Sequence, residues 1–373
     1  MIRISDIIHV LERWFPLQLA EPWDNVGLLW GDDRTEAKAV LTCLTLTPDV
    51  AQEAIHEGAQ LIVVHHPILF RPVQRITAAT EEGKMLLSLA QKGIAVYSPH
   101  TSFDNAPGGI NDLLCDRLGL ESRRALRPAN LPHYKLVVFV PASHLEVVRQ
   151  ALFAAGAGII GAYRECSFTV SGTGTFFGTE STQPAVGQKG RREEVAEHRL
   201  EVICPESTLE RALQELRRAH PYEEPAVDVY PLRGLPGTGG AGRLGRLPRP
   251  MSPEQLAAHV CQALSLTGLE LIASAATRIE WVAVSCGAGA AHLDDALAQG
   301  AQAFLTGEMR FHDQVRARQH GLTVLLAGHY QTERPGVEEL ARRLAQHFPG
   351  LRVWTSQAET TPVCLYPALP SGP

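Results

Sequence analysis

Two adjacent histidines end the run Leu61-Ile-Val-Val-His65-His66-Pro67. Neutral imidazole is the commonest metal-ligating side chain, and Pro67 stops the chain from continuing as a strand. The apolar residues before the pair read as a buried strand of an α/β sheet. Such sheets gather ligands just beyond the carboxyl ends of their strands. Neighbouring strand residues point to opposite faces, so His65 and His66 serve one site only where the strand ends and the backbone turns. Two further histidines stand in the same relation to an apolar run: His100, with Asp104 four residues on, and His329, with Glu333 four residues on.

An internal echo ties these positions together. Glu57-Gly-Ala-Gln-Leu-Ile-Val-Val-His-His66 aligns with Gln299-Gly-Ala-Gln-Ala-Phe-Leu-Thr-Gly-Glu308, and the segment Gly93 to Asp104 aligns with Gly321 to Glu333 after one insertion. The match suggests two related half-domains whose strand-end residues converge on one cleft. Four residues of extended chain span roughly 13 Å, too far for one metal, whereas the same spacing on a helix is roughly 6 Å. Each histidine and its carboxylate therefore belong on a strand-to-helix corner.

His65, His66, Asp104, His329 and Glu333 give three imidazoles and two carboxylates, a donor set suited to Zn, Fe, Mn or Co and not to copper–thiolate chemistry. A closed structural zinc site uses four ligands, so a fifth, with His100 and Glu308 nearby, fits a pair of ions with open positions better. The alternative is a polar, hydrogen-bonded interface. Burying several unpaired ionisable groups costs several kcal/mol, which argues against a cluster with neither metal nor substrate. Glu308 and His100 are the candidate acid–base groups by placement. His312 reads as an ordinary helix-face residue.

The elements that must position these residues follow in order. Ile2 to Phe15 reads as an amphipathic helix capped by Ser5. Trp23-Asp24-Asn25-Val-Gly27 reads as a turn that could line a pocket. Strands over Lys38–Thr47, Leu61–His66 and Ile94–Ser98 alternate with helices over Pro48–Gly58 and Glu81–Lys92, the mark of an α/β sheet. From about Pro132 the pattern becomes strand (Tyr134–Pro141), helix (Ser143–Ala155), strand (Ser167–Phe177), loop (Glu180–Glu194), strand (Glu197–Cys204), helix (Ser207–His220), strand (Ala226–Tyr230). That order is what a ferredoxin-like sandwich needs. The glycine-rich stretch Leu235–Pro250 reads as a linker out of this module, since it lacks a helix-start phosphate motif. Helix–strand alternation then resumes from Ser252 to Trp354, and the tail from Thr355 reads as a final strand and coil. The predicted fold is thus two α/β half-domains, residues 1–131 and 237–373, interrupted by a ferredoxin-like α+β insert, residues 132–236.

The totals agree with a cytoplasmic globular protein. The 373 residues are 45% hydrophobic and 20% charged, and the formal charge of −6 gives no general reason to bind nucleic acid or anionic membrane. Seven cysteines (Cys43, Cys115, Cys166, Cys204, Cys261, Cys286 and Cys364) never form a Cys-x-x-Cys pair, the pattern of reduced thiols. Asp6 interrupts the apolar run that a secretory leader needs, and no stretch reaches transmembrane length.

Trp23-Asp-Asn-Val-Gly-Leu, His65-His66-Pro, His100-x-x-x-Asp104, Thr306-Gly-Glu and Ala327-Gly-His329-x-x-x-Glu333-Arg together resemble the dinuclear-metal-centre proteins named after NGG-interacting factor three, often labelled GTP cyclohydrolase I type two homologues. The resemblance spans nearly the whole chain. It implies two divalent ions per chain (Zn, Fe or Mn) on His65, His66, Asp104, His329 and Glu333, and a homohexameric ring with sites facing an inner cavity. The insert, notably His220-Pro-Tyr-Glu-Glu-Pro, resembles the PII- or CutA-like module of longer members. The expected function is metal-dependent hydrolysis of a nucleotide or similar small molecule; the alternative is a metal-binding regulator or metallochaperone with a sensing insert.

Overall fold

Apolar residues at helical spacing bury Ile4, Ile7, Ile8 and Leu11 along one side of helix α1 (Ile4–Trp14). Its cap is Arg3 and not Ser5, because the helix begins at Ile4, two residues earlier, and the Arg3 N–H donates to Asp6 Oδ2 at 2.8 Å. This computed structural model describes residues 1–129, 132–161, 163–233, 239–275 and 278–363. Cys364, the end of the tail, and the residues at which the expected boundaries fall (131 and 236–237) lie outside the described residues.

After α1 come β1 (Gly27–Trp30), β2 (Ala39–Cys43), α2 (Pro48–His56), β3 (Leu61–Val64), α3 (Glu81–Lys92), β4 (Ala95–Ser98), α4 (His100–Asn105), α5 (Ile110–Arg117) and β5 (Glu121–Pro128). The middle of the chain forms β6 (His133–Pro141), α6 (Leu145–Ala154), β7 (Ser167–Phe177), β8 (Arg192–Pro205), α7 (Glu206–Ala219) and β9 (Val227–Leu232). The last third holds β10 (Gly240–Met251), α8 (Pro253–Ala263), β11 (Glu270–Ile272), β12 (Ile279–Ser285), α9 (Leu293–Ala298), β13 (Ala303–Thr306), α10 (Phe311–Gln319), β14 (Thr323–Leu326), α11 (His329–His347) and β15 (Arg352–Thr355). The chain is mixed α/β, with eleven α-helices among the described residues.

It divides into two compact units, one made of Met1–Ala129 with Thr238–Pro373 and the other of Asn130–Gly237. The first unit holds two sheets, ordered β1-β4-β3-β2-β15 and β11-β14-β13-β12-β10-β5. At the centre of each lie three adjacent parallel strands, β2-β3-β4 and β12-β13-β14. The two segments that echo each other in sequence therefore occupy equivalent places, β3 with β13 and β4 with β14. Each sheet buries its own core, Leu41, Ile62, Val64 and Val96 in one and Ala283, Phe304, Val324 and Leu326 in the other.

Two readings are corrected. Leu235–Pro250 is no linker over its described part: Gly240–Met251 is β10, paired with both β5 and β12. Gly242 takes φ +57 and a Cβ there would lie 3.0 Å from Val284 O, and the register with β5 shifts between Leu244 and Arg246. The strand expected after Thr355 is also absent among the described residues; β15 ends there.

The second unit follows the order strand-helix-strand-strand-helix-strand, with one antiparallel four-stranded sheet ordered β7-β8-β6-β9. Its core is Leu136, Val138, Val148, Leu152, Leu200 and Leu216 among others.

Candidate functional site

All five candidate metal residues and both candidate acid–base residues lie at carboxyl ends of the central parallel strands. β3 ends at Val64, and the next two residues are His65 and His66. Backbone bonds from His65 N to Cys43 O (2.9 Å) and from His66 N to Leu44 O (2.8 Å) carry the pairing just past the strand end. Ser98 at the end of β4 fixes this corner by donating its hydroxyl to His65 O at 2.7 Å. His100 opens α4 with Asp104 four residues on, and His329 opens α11 with Glu333 four residues on, so each pair shares one helix face.

Glu333 is the centre of the cluster. Its Oε2 lies 2.9 Å from His66 Nε2 and 3.1 Å from His329 Nε2, and these two nitrogens are 3.3 Å apart. Its other oxygen, Oε1, faces His65 Nε2 at 3.9 Å, and Asp104 Oδ1 lies 3.7 Å from the same nitrogen. His65, His66 and Glu333 each offer a ligand atom within 4.8 Å of the others, a group that could hold a metal ion. His65 is 2% exposed, yet neither of its ring nitrogens has a hydrogen-bond partner. Gly287, at φ +58, leaves room for the central carboxylate; a Cβ there would sit 2.0 Å from Glu333 Oε1.

The other histidines are aimed through Nδ1. Thr45 Oγ1 lies 2.8 Å from His66 Nδ1, Glu308 Oε1 lies 3.2 Å from His329 Nδ1, and Asp24 Oδ1 lies 2.7 Å from His100 Nδ1. Fixing one ring nitrogen leaves the other directed inward. Asp24 also accepts from the Thr101 amide and hydroxyl. Behind the carboxylates, Cys286 Sγ donates to Asp104 Oδ1 at 3.2 Å, and Asn111 Oδ1 accepts from Cys286 N at 2.9 Å.

Burial dominates the electrostatics. It pushes His65 well below its usual pKa, only partly opposed by Glu333. It pushes Asp104 up, helped by the charge on Glu333. For Glu333 itself burial acts upward, but hydrogen bonds from His329 and His66 and the charge at His65 hold the carboxyl well below its ordinary range. The bond to Glu333 raises His329 to about 9. Burial lowers His100, but its bond to Asp24 together with the charges of Asp104, Asp24 and Glu333 outweighs this, and the imidazole ends above its usual value.

His312 stays out of the network: it lies exposed on α10, its ring against Phe311. Asp24, Thr45, Cys286 and Gly287 were not selected from the sequence. Of these only Asp24 carried a signal, as the centre of Trp23-Asp24-Asn25.

The family model described as Duf34/NIF3 (NGG1p interacting factor 3) matches residues 2–362. A Halalkalibacterium halodurans protein named GTP cyclohydrolase 1 type 2 homolog is 39% identical over 91% of this chain and 92% of its own length. A Bacillus subtilis protein of the same name is 35% identical over 96% and 97%. The crystal structure of a Bacillus cereus protein related to NIF3 superposes with a TM-score of 0.86 at 36% identity, covering 98% of this chain and 99% of the other. No helix among the described residues is long and apolar enough to cross a membrane.

Proposed function

The chain belongs to the Duf34/NIF3 family, and from that premise we propose that its cluster holds two divalent metal ions and hydrolyses a nucleotide-type substrate. The observation that carries this reading is the division of ligands by the two oxygens of Glu333. His66 and His329 stand on one side; His65 and Asp104 stand on the other. Metal–nitrogen bonds of 2.0–2.1 Å in a tetrahedral site imply donor separations of about 3.3 Å, and the His66, His329 and Glu333 donors lie 2.9 to 3.3 Å apart. The buried, unpartnered His65 ring fits a ligand better than a structural histidine. Zn, Fe and Mn all suit the donor set.

Bound ions of this kind lower the pKa of a water and polarise the bond attacked. The chain supplies the rest. Asp24 fixes His100 through Nδ1, leaving Nε2 as the atom that can take or give a proton. Glu308 bonds His329 Nδ1, so we assign it the orientation of that ring and leave proton handling to His100. The reading also takes the protein as a cytoplasmic homohexamer, organised as residues 1–131, 132–236 and 237–373, with the strand order of the insert read as a ferredoxin-like module.

The test is to load the protein with metal, incubate it with GTP, and follow formate and phosphate together. Formate from wild type and not from Asp104→Asn identifies a cyclohydrolase; phosphate alone identifies a phosphohydrolase. Neither product, from protein carrying two metals per chain, rejects the enzymatic reading. A regulator is then the better reading, and one observation favours it: the second unit has its own cavity of about 590 Å³, lined by Phe139, Phe177, Tyr222, Glu197 and Arg199. A volume in that range suits a small molecule.

A further inference from the structure

Trp23 and Phe70 are large aromatic residues that the fold leaves open, at 61% and 49% exposure. Single exposed apolar side chains need no explanation, but these two meet. Their ring centroids are 6.0 Å apart, and the Trp23 ring is 6.1 Å from that of His100. The His100 ring is in turn 5.1 Å from His65 and 5.9 Å from His66. The open aromatic pair therefore borders the candidate metal cluster with one imidazole between them.

The loops presenting the pair are held by the network that holds the site. Asp24, next to Trp23, bonds His100 Nδ1 and Thr101 N. Asn25 Nδ2 donates to the carbonyl of Leu69, next to Phe70, at 3.1 Å, so the two loops are tied to each other. Leu69 has φ +53 and His100 has φ +26, conformations that non-glycine residues adopt at a cost. Strain of this kind persists where surrounding bonds over-determine it, and it gathers at binding sites. Phe70 also lines a cavity of about 490 Å³ that reaches His66, Thr45 and Met85, within the range of small-molecule sites.

We propose that Trp23 and Phe70 form the subsite for the planar heteroaromatic ring of the substrate, stacking it on the Trp23 face beside His100. The inference rests on the nucleotide-hydrolase reading and deepens it. It assigns recognition of the base to two side chains outside the metal ligands. A stacked ring needs no particular pattern of donors and acceptors, so this subsite selects for planarity and leaves the choice among bases to other groups.

The experiment titrates metal-loaded wild type, Trp23→Ala, Trp23→Phe and Phe70→Ala with GTP and, separately, with inorganic triphosphate, by calorimetry. Stacking losses of the usual size predict GTP binding weaker by about 5- to 150-fold in Trp23→Ala. Triphosphate binding and bound metal should be unchanged, and Trp23→Phe should recover most of the affinity. Equal GTP affinity in wild type and Trp23→Ala overturns the subsite and leaves the nucleotide reading standing. No GTP binding by the metal-loaded wild type overturns both. Smaller particles for Trp23→Ala in light scattering, with GTP affinity retained, would make the pair a contact between copies of the chain and reject the proposal.

Discussion

A glycine decides whether the central carboxylate fits. Glu333 Oε1 occupies the space a side chain at Gly287 would need, His329 Nε2 lies 3.2 Å from the same point, and φ +58 strains any replacement. Gly287→Ala should therefore fold with reduced stability and bind metal about 10- to 100-fold more weakly, the loss typical of disturbing groups behind metal ligands. Chelator competition on the purified variant measures it; unchanged affinity would show that Glu333 is not held where the metal must sit. Glu333→Gln offers the sharper comparison with Asp104→Asn. If one carboxylate serves both ions, Glu333→Gln should lose both, while Asp104→Asn keeps the ion on the His66 and His329 side. Metal counted per chain by emission spectroscopy separates these outcomes, and equal losses in the two variants would reject the division. At this scale the sequence exposed the side chains that the structure gathers into the candidate site, because a histidine directly after an apolar strand has few other reasons to be there. Thr45, Cys286 and Gly287 stayed hidden. Their roles depend on which segments fold side by side, and nothing about a lone Thr, Cys or Gly announces that partner.

At the scale of elements, the strands that end in site residues were legible because burial on both faces makes them uniformly apolar. β10 was not. Its sequence, Gly-Ala-Gly-Arg-Leu-Gly-Arg-Leu-Pro-Arg-Pro-Met, has the composition of a linker, and what makes it a strand is non-local: β5 on one side, β12 on the other. Arg243 within it is 2% exposed and makes an unusual set of bonds. Its Nε and Nη2 grip both oxygens of Asp112 at 2.9 and 3.0 Å, while Nη1 and Nη2 also donate to the carbonyls of Gly240, Gly242 and Ala106 at 2.7–2.8 Å. These bonds join β10 to α5 through Asp112 and to the end of α4, the helix that carries Asp104. Removing one member of a buried ion pair leaves the other charge unsatisfied, at a cost of about 3–5 kcal/mol. Arg243→Met should lower unfolding stability by about that much in urea, with metal removed so that binding does not mask it. A loss below 1 kcal/mol would mean that Asp112 finds other partners. Arg243→Lys should rescue little, since an ammonium cannot reproduce the two-pronged grip.

At the scale of the molecule, the question is whether the second unit is needed to form the site. Pro128 at the end of β5 pairs with Gly240 at the start of β10, and Ala129 N donates to Gly239 O at 3.0 Å. The chain thus leaves the first unit and re-enters it at neighbouring positions of one antiparallel ladder. Replacing residues 130–238 by an Asn-Gly turn would convert that ladder into an ordinary hairpin, because such turns match the twist of the flanking strands. Every described hydrogen bond and ion pair of the candidate site belongs to residues of the first unit. The shortened protein should therefore fold and bind the same number of metal ions per chain as the full one. If hydrolysis is the function, turnover per site should persist; if the second unit senses a ligand through its own cavity, the basal rate should remain while the response to that ligand disappears. Metal content and turnover measured side by side decide between these. A folded but metal-free product would show that the second unit helps to build the site, contrary to the geometry of the ladder that brings its ends together.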